Sequence, residues 1–291
     1  MLWDCFPDEQ RLGGAPANFA RHAHQLGMAS YAISCIGADP LGQNAKDELE
    51  ASGLKTDFLF EHASLPTGTV QITLDSKGTP EYHVCENVAW DAIPCPEELI
   101  RFVGRLDAIC FGTLSQRSVQ SRETVRQVMQ TVPEDALKIL DVNFRAPFFS
   151  KEITTPSLEL ANVLKLSDEE LPVLADYYDL KGEETQQLQQ LIPKFGLRLI
   201  AYTKGAAGSL LVTPGEVDVA PAVSVKMVDS VGAGDSFTAA LCTGLLHGFT
   251  LGDCNRFANQ VAAFVCSQRG ACPKLSDELL NVLQNHSNGP T

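Results

Sequence analysis

Asp235 is the side chain with the clearest chemistry. It stands in the run Val228-Asp-Ser-Val-Gly-Ala-Gly-Asp-Ser-Phe-Thr-Ala-Ala-Leu241, which reads as a strand end, a glycine turn and a helix start. A helix N-terminus offers unpaired backbone N–H groups and partial positive charge. Gly232 and Gly234 carry no side chains, so an anion can approach those donors closely. A carboxylate at the mouth of such a pocket is electrostatically awkward. It makes sense as a general base acting on a hydroxyl that attacks a phosphoryl group. The plainer reading is that Asp235 caps the helix, and this stretch alone leaves both open.

Three further segments place polar side chains just past apolar strands. In Asp141-Val-Asn-Phe-Arg145, alternate residues face one way: Asp141 and Asn143 suit hydroxyls, and Arg145 suits phosphoryl oxygens. An Asx-turn with a surface arginine explains the same residues. Leu164-Lys-Leu-Ser-Asp-Glu-Glu170 reads as a strand followed by a capping box, Ser167 at the cap and Glu170 at N3. Its functional reading makes Glu170 an outer ligand of hydrated Mg2+. Thr203-Lys-Gly-Ala-Ala-Gly208 joins two strands; a hairpin turn explains its glycines, and so does close approach to a nucleotide phosphate.

Composition narrows the partners. The net charge of −14 over 291 residues argues against nucleic acid or an anionic membrane as the main partner, but not against a nucleotide held by local donors. The nine cysteines form no C-x-x-C and read as free thiols in a reducing cytosol. No signal peptide and no apolar run of membrane-spanning length is legible. The chain also lacks the P-loop, the Rossmann fingerprint and a G-x-S-x-G element.

These residues need a scaffold, and the hydrophobic pattern supplies one. Helices are expected over about 17–26 and 42–52, with a strand over 30–36 between them. Alternation over 67–74 and 80–85, joined by Ser76-Lys-Gly-Thr79, predicts a hairpin in a small β lid formed mainly by about 56–90. From Glu97 onward short apolar strands alternate with helices. The strands fall at 108–111, 137–141, 163–166, 199–203 and 209–212. The helices fall at 121–131, 157–161, 235–247, 255–267 and 275–283. That is a single α/β domain with a mostly parallel sheet covered on both faces, and ligands are expected at the carboxyl ends of its strands.

Taken together the segments resemble the ribokinase-like (PfkB) carbohydrate kinases over nearly the whole chain. Asp229-Ser-Val-Gly-Ala-Gly-Asp-Ser-Phe237 looks like their C-terminal signature and Gly13-Gly-Ala-Pro-Ala-Asn18 like their N-terminal G-G-x-x-x-N. The Asp141, Lys165, Thr203 and Asn259…Gly270-Ala271 segments follow in the family's order. Leu2-Trp-Asp-Cys-Phe-Pro7, Glu86-Asn-Val-Ala-Trp-Asp91 and the Asp-x-Asn-x-Arg form resemble the fructokinase branch. The resemblance implies a three-layer α/β/α fold with a β lid, and transfer of the γ-phosphoryl group of ATP to a sugar hydroxyl. Asp235 would be the base, with Gly232, Ala233 and Gly234 forming the anion hole and Arg145 lying near sugar and phosphates. Asp4, Gly13, Gly14, Asn18 and Asn143 would hold the sugar. Lys165, Thr203, Gly205, Gly208 and Asn259 would line the ATP site, and Glu170 would organise Mg2+ through water. K+ would sit beside the anion hole near Asp229, Val231, Val265, Gln268 and Gly270. A cytoplasmic homodimer joined through the lid also follows by analogy.

Two departures stand out. Ser167 occupies a position that is usually Asn. Relatives carry a buried strand and a Gly-Glu just before the residues matching Leu2-Trp3-Asp4, so the resemblance predicts that this strand is absent here, leaving two sheet edges open. Kinases of ribose, 2-keto-3-deoxygluconate or a nucleoside share the signature, and a non-catalytic sugar- or nucleotide-binding relative is the alternative of a different class.

Overall fold

A computed structural model describes residues 1–6, 8–74 and 80–287. The turn Ser76–Thr79 lies outside the described residues. The chain opens with β1 (Leu2–Cys5), β2 (Gln10–Gly13), α1 (Ala15–Gln25), β3 (Ser34–Gly37), α2 (Pro40–Ala51) and β4 (Leu59–His62). β5 (Thr69–Leu74), β6 (Pro80–Val84), α3 (Glu97–Val103), β7 (Ala108–Gly112), α4 (Val119–Thr131), β8 (Leu137–Asp141) and α5 (Lys151–Leu160) follow. Then come β9 (Val163–Ser167), α6 (Leu171–Tyr178), α7 (Glu184–Phe195), β10 (Leu199–Thr203), β11 (Ser209–Val212) and β12 (Val217–Ala220). The chain ends in α8 (Ala233–Leu246), α9 (Leu251–Cys266) and α10 (Asp277–Ser287).

The main sheet runs β12-β11-β10-β9-β8-β7. Its strands from β7 to β10 are parallel, and β11 and β12 close it as an antiparallel edge. Period-two alternation divides its two faces. Ile139, Val163, Leu199 and Ala201 pack against α8, α9 and α10, whereas Leu140, Leu164, Ile200 and Tyr202 pack against α5, α6 and α7. α8 is buried on nearly all sides from Ser236 to Gly244, which matches its lack of a polar face.

The small sheet differs from the expected lid. Its order is β2-β1-β5-β6, so half of it comes from the first thirteen residues rather than from 56–90. β4 leaves it altogether and pairs in parallel with β3. The four-residue strands β1 and β2 are too short for alternation to reveal them; their register pairs Asp4 with Arg11. A second correction concerns the capping box. α6 begins at Leu171, and Ser167 ends β9 instead of capping a helix.

Among the described strands, β7 pairs only with β8, and β3 only with β4. Ile33, Phe60 and Ile109 of β7 all pack against one apolar cluster, yet no ladder joins the β3–β4 pair to the main sheet. Met1 N donates to Ser34 Oγ of β3 at 3.1 Å. A segment joined ahead of Met1 could pair with the open edges, and a chain that carries one should melt higher. Equal melting temperatures for the two forms would refute this.

Candidate active site

Asp235 occupies the third position of α8, and Gly232 supplies the cap with φ +79° and no side-chain capping bond. The capping reading of Asp235 is thereby removed, because its carboxylate is engaged elsewhere. Asn18 Nδ2, from α1, donates to Asp235 Oδ2 at 2.8 Å. The helix end is open: Ala233 N–H turns back to Ser230 O at 3.3 Å, which leaves the N–H groups of Gly234 and Asp235 as first-turn donors. Burial, and next the charge of Asp141, push the Asp235 carboxyl up from 3.8 to about 6; the Asn18 bond, Lys165 and Arg145 pull the other way.

Asp141, the last residue of β8, and Lys165, the middle residue of β9, are direct register partners, so alternation sends both side chains to the α8 face. Lys165 Nζ lies 3.1 Å from Asp141 Oδ1, and both are buried. Burial opposes the Lys165 charge, but Asp141, Glu170 and Asp235 outweigh it and raise its pKa. Burial raises that of Asp141, against the pull of Lys165. A Cβ at Gly234 would stand 3.1 Å from Lys165 Nζ, so the missing side chain lets the ammonium reach the helix end.

These groups border a cavity of about 880 Å3 between the main sheet, the small sheet and α8. It brings together Asp4, Gly14, Asn18, Asn143, Arg145, Lys165, Val231, Gly232, Gly234, Asp235 and Gly270 from the sequence reading. Asn143 adopts φ +39°, which breaks the extended alternation assumed for Asp141–Arg145, yet all three side chains still reach the cavity. Gly13 does not line it, and its role is to make space: a Cβ there would meet Asp4 Oδ2 at 2.7 Å. The small sheet supplies an apolar wall of Leu2, Val70, Ile72 and Val84, with Trp90 beside it.

Other expected residues lie outside this cavity. Thr203 ends β10 in register with Ser167, and Gly205 and Gly208 shape the turn to β11. Asn259 is committed elsewhere, donating to Ser209 Oγ at 2.6 Å and Asn255 O at 2.8 Å beneath that turn. Glu170 ties two loops together by accepting from Phe144 N at 2.9 Å and Ser167 N at 2.7 Å. Asp229 accepts from Val231 N at 3.1 Å and Gly270 N at 3.1 Å, which joins three of the residues expected around K+.

Sequence reasoning missed Arg11, which crosses from β2 to Asp229 at 3.3 Å and lines the cavity. It also missed Arg117, stacked 4.0 Å from the Trp90 ring and 4.6 Å from Phe148 while paired with Asp91 at 2.8 Å. Asp91 of the Glu86–Asp91 segment thus anchors the cavity wall rather than lining it. No spacing rule links residues 11 and 229, and Glu9, two residues before Arg11, already offers it a local partner.

The model of the pfkB family of carbohydrate kinases matches residues 6–278. A fructokinase of Klebsiella pneumoniae is 31% identical over 258 residues, covering 84% of this chain and 82% of that protein. An uncharacterized sugar kinase of Pyrococcus horikoshii, solved in complex with ATP, superposes with a TM-score of 0.80 at 29% identity, covering 96% of this chain and 95% of that one. A fructokinase of Xylella fastidiosa with bound ATP shares the fold, with a TM-score of 0.84 at 23% identity over 97% of this chain and 95% of that one. With the signature glycines at an open helix end, a carboxylate beside them and a family match across most of its length, the chain belongs to the pfkB family of carbohydrate kinases.

Proposed function

We propose that the chain transfers the γ-phosphoryl group of MgATP to a primary hydroxyl of a monosaccharide, with D-fructose the first candidate. The observation that carries this is Asp235: a carboxyl raised to about 6, facing a cavity at an open helix N-terminus. A base of that strength takes a hydroxyl proton near neutral pH. Asp4, Gly14, Asn18 and Asn143 orient the sugar, with Gly13 giving Asp4 its room. The anion hole at Gly232, Ala233 and Gly234 receives the transferring phosphoryl group through the N–H groups of Gly232, Gly234 and Asp235, that of Ala233 being turned back to Ser230 O, and Lys165 and Arg145 balance its charge. Thr203, Gly205 and Gly208 present backbone and hydroxyl groups to the nucleotide, over Asn259. The fructose preference rests on the Trp3-Asp4 and Glu86–Asp91 segments, which bring Asp4 and Trp90 to the cavity.

Both Glu170 oxygens already accept a backbone N–H, but a carboxylate has about four acceptor positions, so water molecules around Mg2+ can still be held. Bound Mg2+ neutralises charge on the phosphates. Asp229, Val231 and Gly270 are the place for a monovalent cation, K+ first. The small sheet acts as the lid that excludes water, and its outer face, where Gln71, Thr73 and His83 are exposed, suits pairing with a second copy. No helix among the described residues is long and apolar enough to cross a membrane; the free cysteines favour the cytoplasm.

Asp235→Asn should lower turnover by about 10²–10⁴-fold while ATP binding, measured by calorimetry, stays near wild type. Full activity in that variant would overturn the assignment. The acid limb of kcat/KM should fall below about pH 6, where Asp235 is protonated and cannot act as base. Gly232→Ala should destabilise by about 1–2 kcal/mol through its left-handed backbone alone. Its Cβ would also fall 2.3 Å from Ala271 O, so urea unfolding and turnover should both suffer. ADP release with fructose, ribose, 2-keto-3-deoxygluconate, glucose and adenosine should be greatest with fructose. Turnover with another acceptor alone would keep the mechanism and remove the fructose assignment.

A further inference from the structure

Residues 18, 22 and 25 lie on one face of α1, and each grips the irregular segment between α9 and α10. Cys272 Sγ donates to Asn18 Oδ1 at 3.5 Å and lies 3.7 Å from Asn18 O. His22 Nε2 is 2.9 Å from Ala271 O. Gln25 donates to Pro273 O at 3.2 Å and accepts from Leu275 N at 2.8 Å. We infer that His22 and Cys272 are positioning residues for phosphoryl transfer, His22 fixing the Ala271 carbonyl on which Gly232 rests and Cys272 fixing the Asn18 amide that faces Asp235. This rests on the reading of Asp235 and the anion hole given above.

The His22 contact is directional. A carbonyl only accepts, so Nε2 carries the proton; the ring is wholly buried and burial lowers its pKa, which keeps it neutral. Its Nδ1 has no hydrogen-bond partner among protein atoms. An apolar side chain of similar size would avoid that cost, so packing alone does not explain a histidine here. The Nε2 bond is what a histidine adds. Gly232 sits directly on the carbonyl it holds: a Cβ would meet Ala271 O at 2.3 Å and Ala271 Cα at 2.7 Å. Gly232 is the cap of α8, so a shift of Ala271 moves the donors of the anion hole.

Cys272 acts on the base. The two ends of an amide differ only in hydrogen bonding, and Asn18 must turn its NH2 toward Asp235 Oδ2. A thiol donating to Oδ1 fixes that choice, and the reversed amide would set a carbonyl oxygen against a carboxylate. Cys272 and Ala271 both border the cavity, close to the groups they hold.

The test uses the full chain with His22→Leu, His22→Gln, Cys272→Ala and Cys272→Ser, following melting temperature, kcat, KM for ATP and sugar, and the pH profile of kcat/KM. His22→Leu should lower kcat about tenfold or more with both KM values little changed. His22→Gln, which can still donate to Ala271 O, should recover most of it. Cys272→Ala should move the acid limb to higher pH, because a freed Asn18 stabilises the Asp235 carboxylate less; Cys272→Ser should leave it in place. A His22→Leu protein with a lower melting temperature but wild-type kcat would reduce His22 to a packing role and overturn its part. Should His22→Leu fail to fold, Cys272→Ala decides: an unmoved acid limb and unchanged kcat overturn the proposal, and a moved limb restored by Cys272→Ser upholds it. Full activity in Asp235→Asn would instead sink the underlying phosphoryl-transfer reading. An inactive Asp235→Asn beside fully active His22 and Cys272 variants sinks the positioning alone.

Discussion

Two carboxylates and one ammonium gathered at the open end of a helix set the terms for the rest of this structure. Asp141, Lys165 and Asp235 share the low-dielectric space where β8 and β9 meet α8. Their burial would be costly if any were left unpaired. Lys165 answers Asp141 directly, while Asp235 is answered by Asn18 and by the first turn of its own helix. The balance is incomplete at Asp235, and its raised pKa follows from that. A group that is neither freely ionised nor permanently neutral near physiological pH is suited to exchanging a proton.

Everything around this trio serves to hold it. Strand register sets Asp141 opposite Lys165. Gly234 lets Lys165 approach, and Gly13 makes room for Asp4. α1 packs on α8 and contributes Asn18, so the helix that follows β2 also reaches the Asp235 carboxylate. The small sheet, built half from the chain's first residues, roofs the cavity and sends Arg11 to Asp229. The small sheet and the loop before α8 are therefore joined by charge as well as by shape.

Much of this was legible in the residue order. The strands 199–203 and 209–212 were read with their observed limits, because apolar runs bounded by Lys-Gly and Pro-Gly leave little freedom. The βα alternation after Glu97 gave the parallel sheet, and the glycine signature marked the helix start that borders the cavity. Helix starts were displaced by two to six residues where glycine, proline or a polar first turn was read as a boundary; α5, with Pro156 inside it, begins six residues earlier than expected. β1 and β2 were missed because four-residue strands carry too little pattern, and β4 was misplaced because pairing partners are not encoded locally.

By itself the sequence determined the residue chemistry and its order: a carboxylate after two glycines, an Asp-x-Asn-x-Arg turn, a lysine on a buried strand and short apolar strands of period two. These are local properties, set by side-chain type, backbone freedom and periodicity over a few residues. Tertiary structure alone decided which of them meet. The bond between Asn18 and Asp235 spans 217 residues, that between Arg11 and Asp229 spans 218, and that between His22 and Ala271 spans 249. Such contacts exist only once helices and sheets have packed. The pKa of Asp235 depends on them in turn, since it reports burial and neighbouring charges that no local sequence contains.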